Sequence, residues 1–218
     1  MKYRQIYRDI NIVTVGKLNC DTCNPLNLFK HKVISQEEIN SINDKNMRVS
    51  SDVVSFKTSS FELYCDSQKM QIRTGDCSRS DQLSDVTLNI LRLSETTPTA
   101  IGINATFRFG LDEVSFLRFC DKCSPMTAFT PMAENALMFD LSFFDWNHPA
   151  EDEKQPQEVY NIKRLSDDIG NQKVVQISVN NHLIIKNGMK MVIDYLSETS
   201  KLQSQFFDKC QQFISGIQ

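Results

Sequence analysis

Four cysteines occur in two copies of one short motif. Residues 20–25 read C-D-T-C-N-P and residues 120–125 read C-D-K-C-S-P, and a phenylalanine follows each copy at the same spacing. Two C-x-x-C pairs can supply four thiolates, which is the complete tetrahedral shell of a structural zinc ion. The sequence therefore predicts one structural zinc site, whose ligands are Cys20, Cys23, Cys120 and Cys123.

The long interval between the two pairs leaves an alternative open. A compact zinc finger has closely spaced pairs, so here the ion would join two loops that the fold must first bring together. The alternative is that the four thiols hold no ligand. A redox role is disfavoured, because neither copy opens a helix beside a strand as in a thioredoxin-like unit. The other three cysteines, Cys65, Cys77 and Cys210, are expected to be small hydrophobic core residues.

Histidine is the other residue type that could carry chemistry. His182 lies in a predicted strand, and no nucleophile or carboxylate can be assigned to it from sequence. Phosphate-binding loops, nucleophile elbows and dinucleotide fingerprints have no match in the chain. An enzyme, a hydrolase or nuclease with a site near His182, therefore stands as the alternative to a non-enzymatic protein.

The charge balance ranks the partners that the chain could bind. The net charge is −3 and the pI is about 5.7, which disfavours a broad basic field of the kind that nucleic-acid backbones attract. The net charge does not exclude a local basic surface. The second alternative is thus a zinc-assisted nucleic-acid binder, which would use the basic side chains of Arg73, Arg79, Arg108, Arg118 and Lys122.

Apolar runs and cysteine usage point to a cytoplasmic protein. No apolar run approaches the roughly 18–20 residues of a membrane-spanning helix, and no signal-peptide core is present. The seven cysteines are an odd number, which fits reduced or metal-bound thiols. We expect no membrane association.

Periodicity places the elements that would position these residues. Leu83, Val86 and Ile90 recur at helical spacing and predict an amphipathic helix over 80–95. Strict alternation over 101–109 predicts a strand with Ile101, Ile103, Phe107 and Phe109 in the core and Asn104, Thr106 and Arg108 on the opposite face. A helix is predicted over 112–120 with Val114 and Leu117 inward, a strand over 137–144, an exposed loop over 148–157 and one long helix over roughly 189–215.

These elements predict a single α+β domain over residues 1–218 with two C-x-x-C knuckles. A curved, mainly antiparallel sheet packs one apolar face against two amphipathic helices, the predicted 80–95 helix and the long C-terminal helix. The 40% hydrophobic content is enough for one sizeable core.

Several segments resemble a group of uncharacterised prokaryotic and phage-associated proteins. The most specific segment is T-P-x-A-[IL]-G-I-N, present here as residues 97–104 and followed by Phe107, Arg108 and Phe109. The Asn-Pro after the first strand, the Val53–Phe56 region, the Val179–His182 segment and the closing helix also fit. The resemblance implies a compact α+β protein encoded near mobile elements or defence genes, and it implies no activity.

The sequence thus favours a non-enzymatic binding or assembly subunit of a cytoplasmic complex, with a link to antiviral defence and a structural zinc site. The expected partner is a protein or a second copy of the chain. The predicted C-terminal helix carries an apolar stripe that is too large to leave in water. Its end, near Phe206, Phe207 and Phe213, is the predicted partner surface, with ordinary core packing as the alternative.

Overall fold

The fold is α+β and is built on one open antiparallel sheet. The computed structural model describes residues 3–123, 140–144, 157–165 and 169–216. The strands are β1 (Tyr3–Val15), β2 (Arg48–Val49), β3 (Val53–Lys57), β4 (Glu62–Asp66), β5 (Lys69–Thr74), β6 (Ala100–Leu111), β7 (Asp140–Phe144), β8 (Gln157–Arg164) and β9 (Lys173–Ile184). They form a nine-stranded sheet in the order β2-β3-β4-β5-β1-β6-β9-β8-β7.

Six α-helices accompany the sheet in the part of the chain that the structure describes. They are α1 (Pro25–Lys30), α2 (Gln36–Asn40), α3 (Ser80–Leu93), α4 (Glu113–Cys123), α5 (Met189–Leu196) and α6 (Thr199–Gly216). Ser35 and Glu38 form a capping box at the start of α2. The predicted helix over 80–95 is confirmed as α3, and Leu83, Val86 and Ile90 are buried against the sheet.

The three long strands β1, β6 and β9 form the centre of the sheet. Their pairing is continuous over nearly the whole of β6 on both sides. The predicted alternation in β6 is confirmed, because Ile101, Ile103, Phe107 and Phe109 are at most 1% exposed. Asn104, Thr106 and Arg108 are half-buried on the other face. The apolar face belongs to the core beneath the helices, and the other face we call the open face.

The predicted long C-terminal helix is wrong in its length, since two helices occupy this segment. Helix α5 ends at Leu196, and Ser197 and Glu198 form a turn before α6 begins at Thr199. The Glu198 carbonyl then accepts the first helical hydrogen bond of α6 from Leu202. Apolar side chains continue at helical spacing across the turn, and for this reason periodicity alone does not reveal the break.

The predicted orientation of α4 is also wrong. Val114 and Leu117 were expected inward, but they are 62% and 48% exposed. Phe116 and Phe119 on the opposite side of the helix are buried instead. The Asp112 carboxylate accepts a hydrogen bond from the Ser115 backbone at 2.7 Å and caps the start of the helix. Because the capped helix begins at Glu113, Phe116 and Phe119 face the sheet, and Val114 and Leu117 face away from it.

A tyrosine from α5 takes part in the hydrogen bonding between two central strands. The Tyr195 hydroxyl accepts from the Ile103 backbone N–H at 3.2 Å and donates to the Asn181 backbone carbonyl at 2.6 Å. Ile103 and Asn181 are register partners on β6 and β9. Burial raises the pKa of Tyr195, so the phenol stays neutral and able to donate. This contact fixes α5 to the middle of the sheet.

Some predictions fall wholly or partly outside the described residues. Of the strand predicted over 137–144, residues 140–144 are present as β7. The predicted loop over 148–157 lies outside the described residues except for Gln157, which begins β8. Between β8 and β9, Ile169 forms a bridge with Gln172.

Ile103→Asp is expected to abolish soluble expression, because it places an unpaired charge in the core at a fully buried position. The loss of stability should be about 4 kcal/mol or more. Asn180→Asp is the matched control, since Asn180 is exposed on the open face and its substitution should keep the melting temperature within a few degrees. Thermal melting of the soluble fractions measures both. A soluble Ile103→Asp protein with the wild-type melting temperature would show that the face assignment is reversed.

Candidate functional site

The open face of the sheet carries an ordered row of polar side chains. Asn104 donates from its amide nitrogen to the Asn11 side chain across the β1–β6 pair at 3.0 Å. Four residues further along β6, the Arg108 guanidinium donates to the Gln176 side chain of β9 at 2.9 Å. The same guanidinium lies 4.6 Å from the ring centre of Tyr7. Neighbouring strands therefore hold one another's polar side chains in fixed positions on this face.

A buried carboxylate lies at the middle of this row. Asp9 is only 6% exposed, and its Oδ2 accepts from the Tyr7 hydroxyl at 2.7 Å and faces the Arg73 guanidinium at 3.4 Å. Its other oxygen, Oδ1, is buried without a hydrogen-bond partner. Burial, together with the hydrogen bond to Asp9, raises the pKa of Tyr7. A buried charge is destabilising without a counter-charge. The Arg73 guanidinium supplies that counter-charge and stabilises the ionised Asp9 carboxylate.

Arg73 extends this pairing toward the edge of the sheet. Its guanidinium also lies 3.8 Å from the Glu62 carboxylate, which Lys57 contacts at 2.7 Å. The hydrogen bond from Lys57 and the charge of Arg73 lower the pKa of Glu62. The result is a chain of alternating charges from β1 to β3.

Two adjoining cavities lie on either side of this chain of charges. The larger, about 590 Å³, lies over β3, β4 and β5. The smaller, about 340 Å³, reaches the turns at 58–60 and 74–76 and the side chain of Arg79. Both are lined by Lys57, Glu62 and Arg73. The larger has the size of pockets that bind small ligands or the side chains of a partner, and Tyr64, which is 39% exposed, lines it.

The described strand positions of the open face carry more positive than negative charge. Register and alternation place seven basic side chains and four carboxylates there. This excess contrasts with the net charge of −3 for the whole chain. The basic residues are Arg4, Arg48, Lys57, Lys69, Arg73, Arg108 and Lys163, and the acidic residues are Asp9, Glu62, Asp66 and Asp140.

The first cysteine pair packs into the core beneath β4 and β5. Cys20 and Cys23 lie on a short 3₁₀ turn between β1 and α1. The Cys23 thiol lies 3.8 Å from the Met70 sulfur, and the Cys20 thiol faces the Cys65 carbonyl at 3.9 Å. Cys65, Cys77 and Cys210 are buried, as expected. The sulfur neighbours of the first pair are thus Cys65 and Met70.

The second cysteine pair lies at the other end of the central strands. Cys120 and Cys123 belong to α4, which follows the end of β6 at Leu111, whereas the first pair follows the end of β1. Because β1 and β6 are antiparallel, these strand ends are separated by most of the length of β6, on the order of 30 Å. No group of three or more His, Cys, Asp or Glu side chains within the described ranges is placed to hold a metal. This arrangement does not bring the four thiols together, and the shared zinc site stays a prediction.

The surroundings of three of the four paired thiols favour the protonated form. Burial raises the pKa of Cys20, Cys120 and Cys123 to about 11. The hydrogen bond with Cys23 and burial raise the pKa of Cys65 still further. A thiol must lose its proton to act as a nucleophile or metal ligand. In the described structure Cys20, Cys23 and Cys120 are buried in the core, and Cys123 packs against it.

His182 lies on the open face beside an unusually small neighbour. Its register partners are Gly102 on β6 and Gln157 on β8, and neither is a nucleophile or a carboxylate. The Nδ1 atom of His182 is buried without a hydrogen-bond partner. A side chain at position 102 would approach the Cβ of His182 at about 3.6 Å. These described neighbours give His182 no partner for proton transfer, and the enzyme reading stays an untested alternative.

The five basic residues considered for nucleic acid do not share one surface. Arg73 and Arg108 lie on the open face, and Arg79 lines the smaller cavity, where it pairs with Asp76 at 3.2 Å. Arg118 and Lys122 are on α4, which packs against the core side of β6 through Phe116 and Phe119. The structure thus brings together three of the five.

The predicted partner surface at the end of the C-terminal helix is packed in this structure. Phe206 is fully buried, and the Phe207 ring lies 5.6 Å from that of Phe107 in the core. The partly exposed Phe213 packs edge-on against Phe119 at 5.9 Å. These contacts favour the alternative stated for this stripe, ordinary core packing.

Sequence reasoning missed Asp9 and its neighbours on β1. The signal was available, because Asp9 and Asn11 alternate with the apolar residues Ile10 and Ile12 of the same strand. What the sequence lacks is the register that places Arg73 of β5 and Arg108 of β6 beside them.

No protein-family model and no curated protein matches the chain in sequence. The class that the fold defines is an α+β protein with helices on one side of an antiparallel sheet and a polar, net-positive open face on the other. No described helix is long and apolar enough to cross a membrane. The resemblance to phage-associated proteins stays a prediction, and the function is argued from the geometry alone.

Native thiols are expected to react slowly with Ellman's reagent at pH 8, because burial keeps them protonated and shielded. All seven cysteines should react promptly in denaturant. A time course of absorbance measures both. Metal analysis of the same sample provides the cross-check: one zinc per chain, lost in Cys20→Ser and in Cys120→Ser alike, would support the sequence prediction and contradict this arrangement.

Removal of Arg73 is expected to destabilise the protein more than removal of the charge it balances. Arg73→Leu leaves the Asp9 carboxylate buried without its counter-charge and should cost about 2 kcal/mol. Adding Asp9→Asn to that variant should recover part of the loss. Urea unfolding of the two single variants and the double variant measures the coupling. Strictly additive losses would contradict the pairing.

Proposed function

We propose that this chain is a non-enzymatic binding or assembly subunit that holds a partner protein on the open face of its sheet. The observation that carries the proposal is the pair of adjoining cavities over β3, β4 and β5, with their shared wall of Lys57, Glu62 and Arg73. The proposed partner surface is therefore the open face. It is not the end of the C-terminal helix that the sequence predicted, because the phenylalanines there pack against the core.

The order of the open face supports a binding role. Its polar side chains are already held by hydrogen bonds and ion pairs, as in Arg73 with Asp9 and Arg108 with Gln176. Binding to side chains that are held in place costs less conformational entropy than binding to mobile ones. Tyr64 adds a half-exposed aromatic ring with a hydroxyl that donates to Asp66 at 2.9 Å, and tyrosine is enriched at binding surfaces.

A protein partner fits the described face better than a catalytic role does. The described open-face neighbours of His182 include no nucleophile or carboxylate, and the raised pKa values of Cys20 and Cys120 oppose thiol chemistry. The balance of charges around the cavities is mixed, since Glu62 and Asp76 accompany Lys57 and Arg79. Mixed charge suits a protein surface more than a polyanion. The cytoplasmic location and the link to antiviral defence stay predictions.

The test compares native complexes formed by the wild-type chain and by cavity variants in the cells that encode it. Wild type is expected to migrate in a complex larger than its own 25.0 kDa. The double variant Tyr64→Ala/Gln71→Ala should lower the fraction in that complex at least fivefold, because both side chains line the larger cavity.

Val114→Ser is the matched control, because Val114 is exposed on α4, away from the open face. It should leave the complex intact, and circular dichroism should show all variants folded. A wild-type chain that migrates at its own mass would contradict the proposal, and so would a cavity variant that keeps the complex.

A further inference from the structure

One end of the open face carries aliphatic side chains where polar ones are expected. Val15, Ala100 and Ile184 are successive register partners on β1, β6 and β9, and Val13 lies beside them. Val15 is 43% exposed and Ile184 is 48% exposed. An antiparallel sheet with one covered face usually places polar residues on the other. We refer to these four residues as the aliphatic strip.

Lysines border the aliphatic strip on two sides. Lys69 is the register partner of Val15 on β5, and Lys17 and Lys186 lie two residues beyond the ends of the row on β1 and β9. The nearby carboxylate of Asp66 accepts hydrogen bonds from the backbone amides of Gln68 and Lys69 at 2.8 Å. The strip is therefore an apolar surface with a positive rim, which we call the lysine rim.

We propose that the aliphatic strip and its lysine rim bind an acidic amphipathic segment of the partner protein. This inference rests on the proposed function and names the chemistry of the partner. Exposed apolar side chains inside a charged rim are typical of protein interaction sites. The apolar contact supplies affinity, and the opposite charges of the rim select the partner and steer its approach.

The dimensions of the strip set the size of the segment. The row from Lys69 to Ile184 crosses four strands, and three interstrand spacings measure about 14 Å. That length equals roughly two and a half turns of an α-helix. A helix of this length presents three or four apolar side chains on one face, with acidic side chains on its flanks toward the lysines.

Nucleic acid is a poorer match to the same surface. Single-stranded nucleic acid binds through aromatic rings on which bases stack, and the aliphatic strip offers none. On the same face the Tyr7 ring is covered by the Arg108 guanidinium, and the Tyr64 ring belongs to the larger cavity over β4, outside the strip. The observations therefore favour an acidic protein segment, and an oligonucleotide serves as a competitor in the test.

The test uses two synthetic peptides of 14 residues as probes. Both carry leucines on one helical face, and the rest of the residues are glutamates in one peptide and lysines in the other. Fluorescence anisotropy with the full chain at low salt should show the glutamate peptide bound at least tenfold more tightly than the lysine peptide. Raising NaCl to about 0.5 M should weaken binding severalfold, because salt screens exposed charges.

Two variants separate the contributions of the aliphatic strip and the lysine rim. Val15→Ser/Ile184→Ser removes apolar surface, and Lys17→Glu/Lys69→Glu reverses two charges of the rim. Each should weaken binding of the glutamate peptide at least tenfold, and only the charge variant should remove the salt dependence. The matched controls are Val114→Ser and Arg118→Glu, two exposed positions of α4, which follows the end of β6 opposite the strip, and they should bind as wild type does.

Four results would overturn this inference. They are no binding of either peptide to the wild-type chain, equal binding of both peptides, binding that is unaffected by the variants of the aliphatic strip, and displacement of the peptide by an oligothymidine that binds more tightly. The proposed function is judged separately by the native complexes. If Tyr64→Ala/Gln71→Ala still disrupts them while the peptide fails to bind, the open face binds a partner of other chemistry.

Discussion

The structure depends on one constraint, that the described helices cover a single face of the sheet. Each central strand must then divide its side chains between a dry face and a wet face, and a slip of one residue would exchange the two. In β6 the division is complete from Ile103 to Phe109. The apolar face holds the helices by burial of phenylalanine and isoleucine. The opposite face is left free to carry polar groups in a register that the core enforces.

The open face shows how a charged group can be kept in a buried position. Asp9 is shielded from water by long neighbours, so its charge must be balanced locally. Arg73 provides that balance and in turn contacts Glu62. A carboxylate with a second buried oxygen unpaired is costly, and its presence suits a face held ready for contacts more than one built for stability alone. The chain as a whole is acidic, but basic side chains outnumber carboxylates on the described strand positions of the open face, so this face is net positive.

Local periodicity in the sequence was enough to predict the core residues. The candidate site on the open face could not be predicted, because it depends on which strands pair and in which register. The alternation of β6 and the spacing of Leu83, Val86 and Ile90 state directly which residues are inward. The cysteine motifs indicate which ligands are available for a metal. They do not indicate the distance between the two pairs, because that distance depends on the strand ends that the pairs follow. The prediction put Val114 and Leu117 on the core side of α4. It was wrong because the residue at which a short helix begins, set here by the Asp112 cap, decides which side of the helix faces the sheet. The neighbours of Asp9 come from β5 and β6, and only the register reveals them.

The Tyr195 hydroxyl has a consequence for the order in which the chain folds. It joins the Ile103 amide to the Asn181 carbonyl, so this rung of the β6–β9 ladder is complete only when α5 has docked. The two central strands and a helix near the end of the chain must therefore assemble together, across a separation of 92 residues. Contacts of such long range close slowly, because the loop entropy is lost before the contact forms. The middle of the sheet is thus expected to form late in folding, after the local hairpin of β4 and β5.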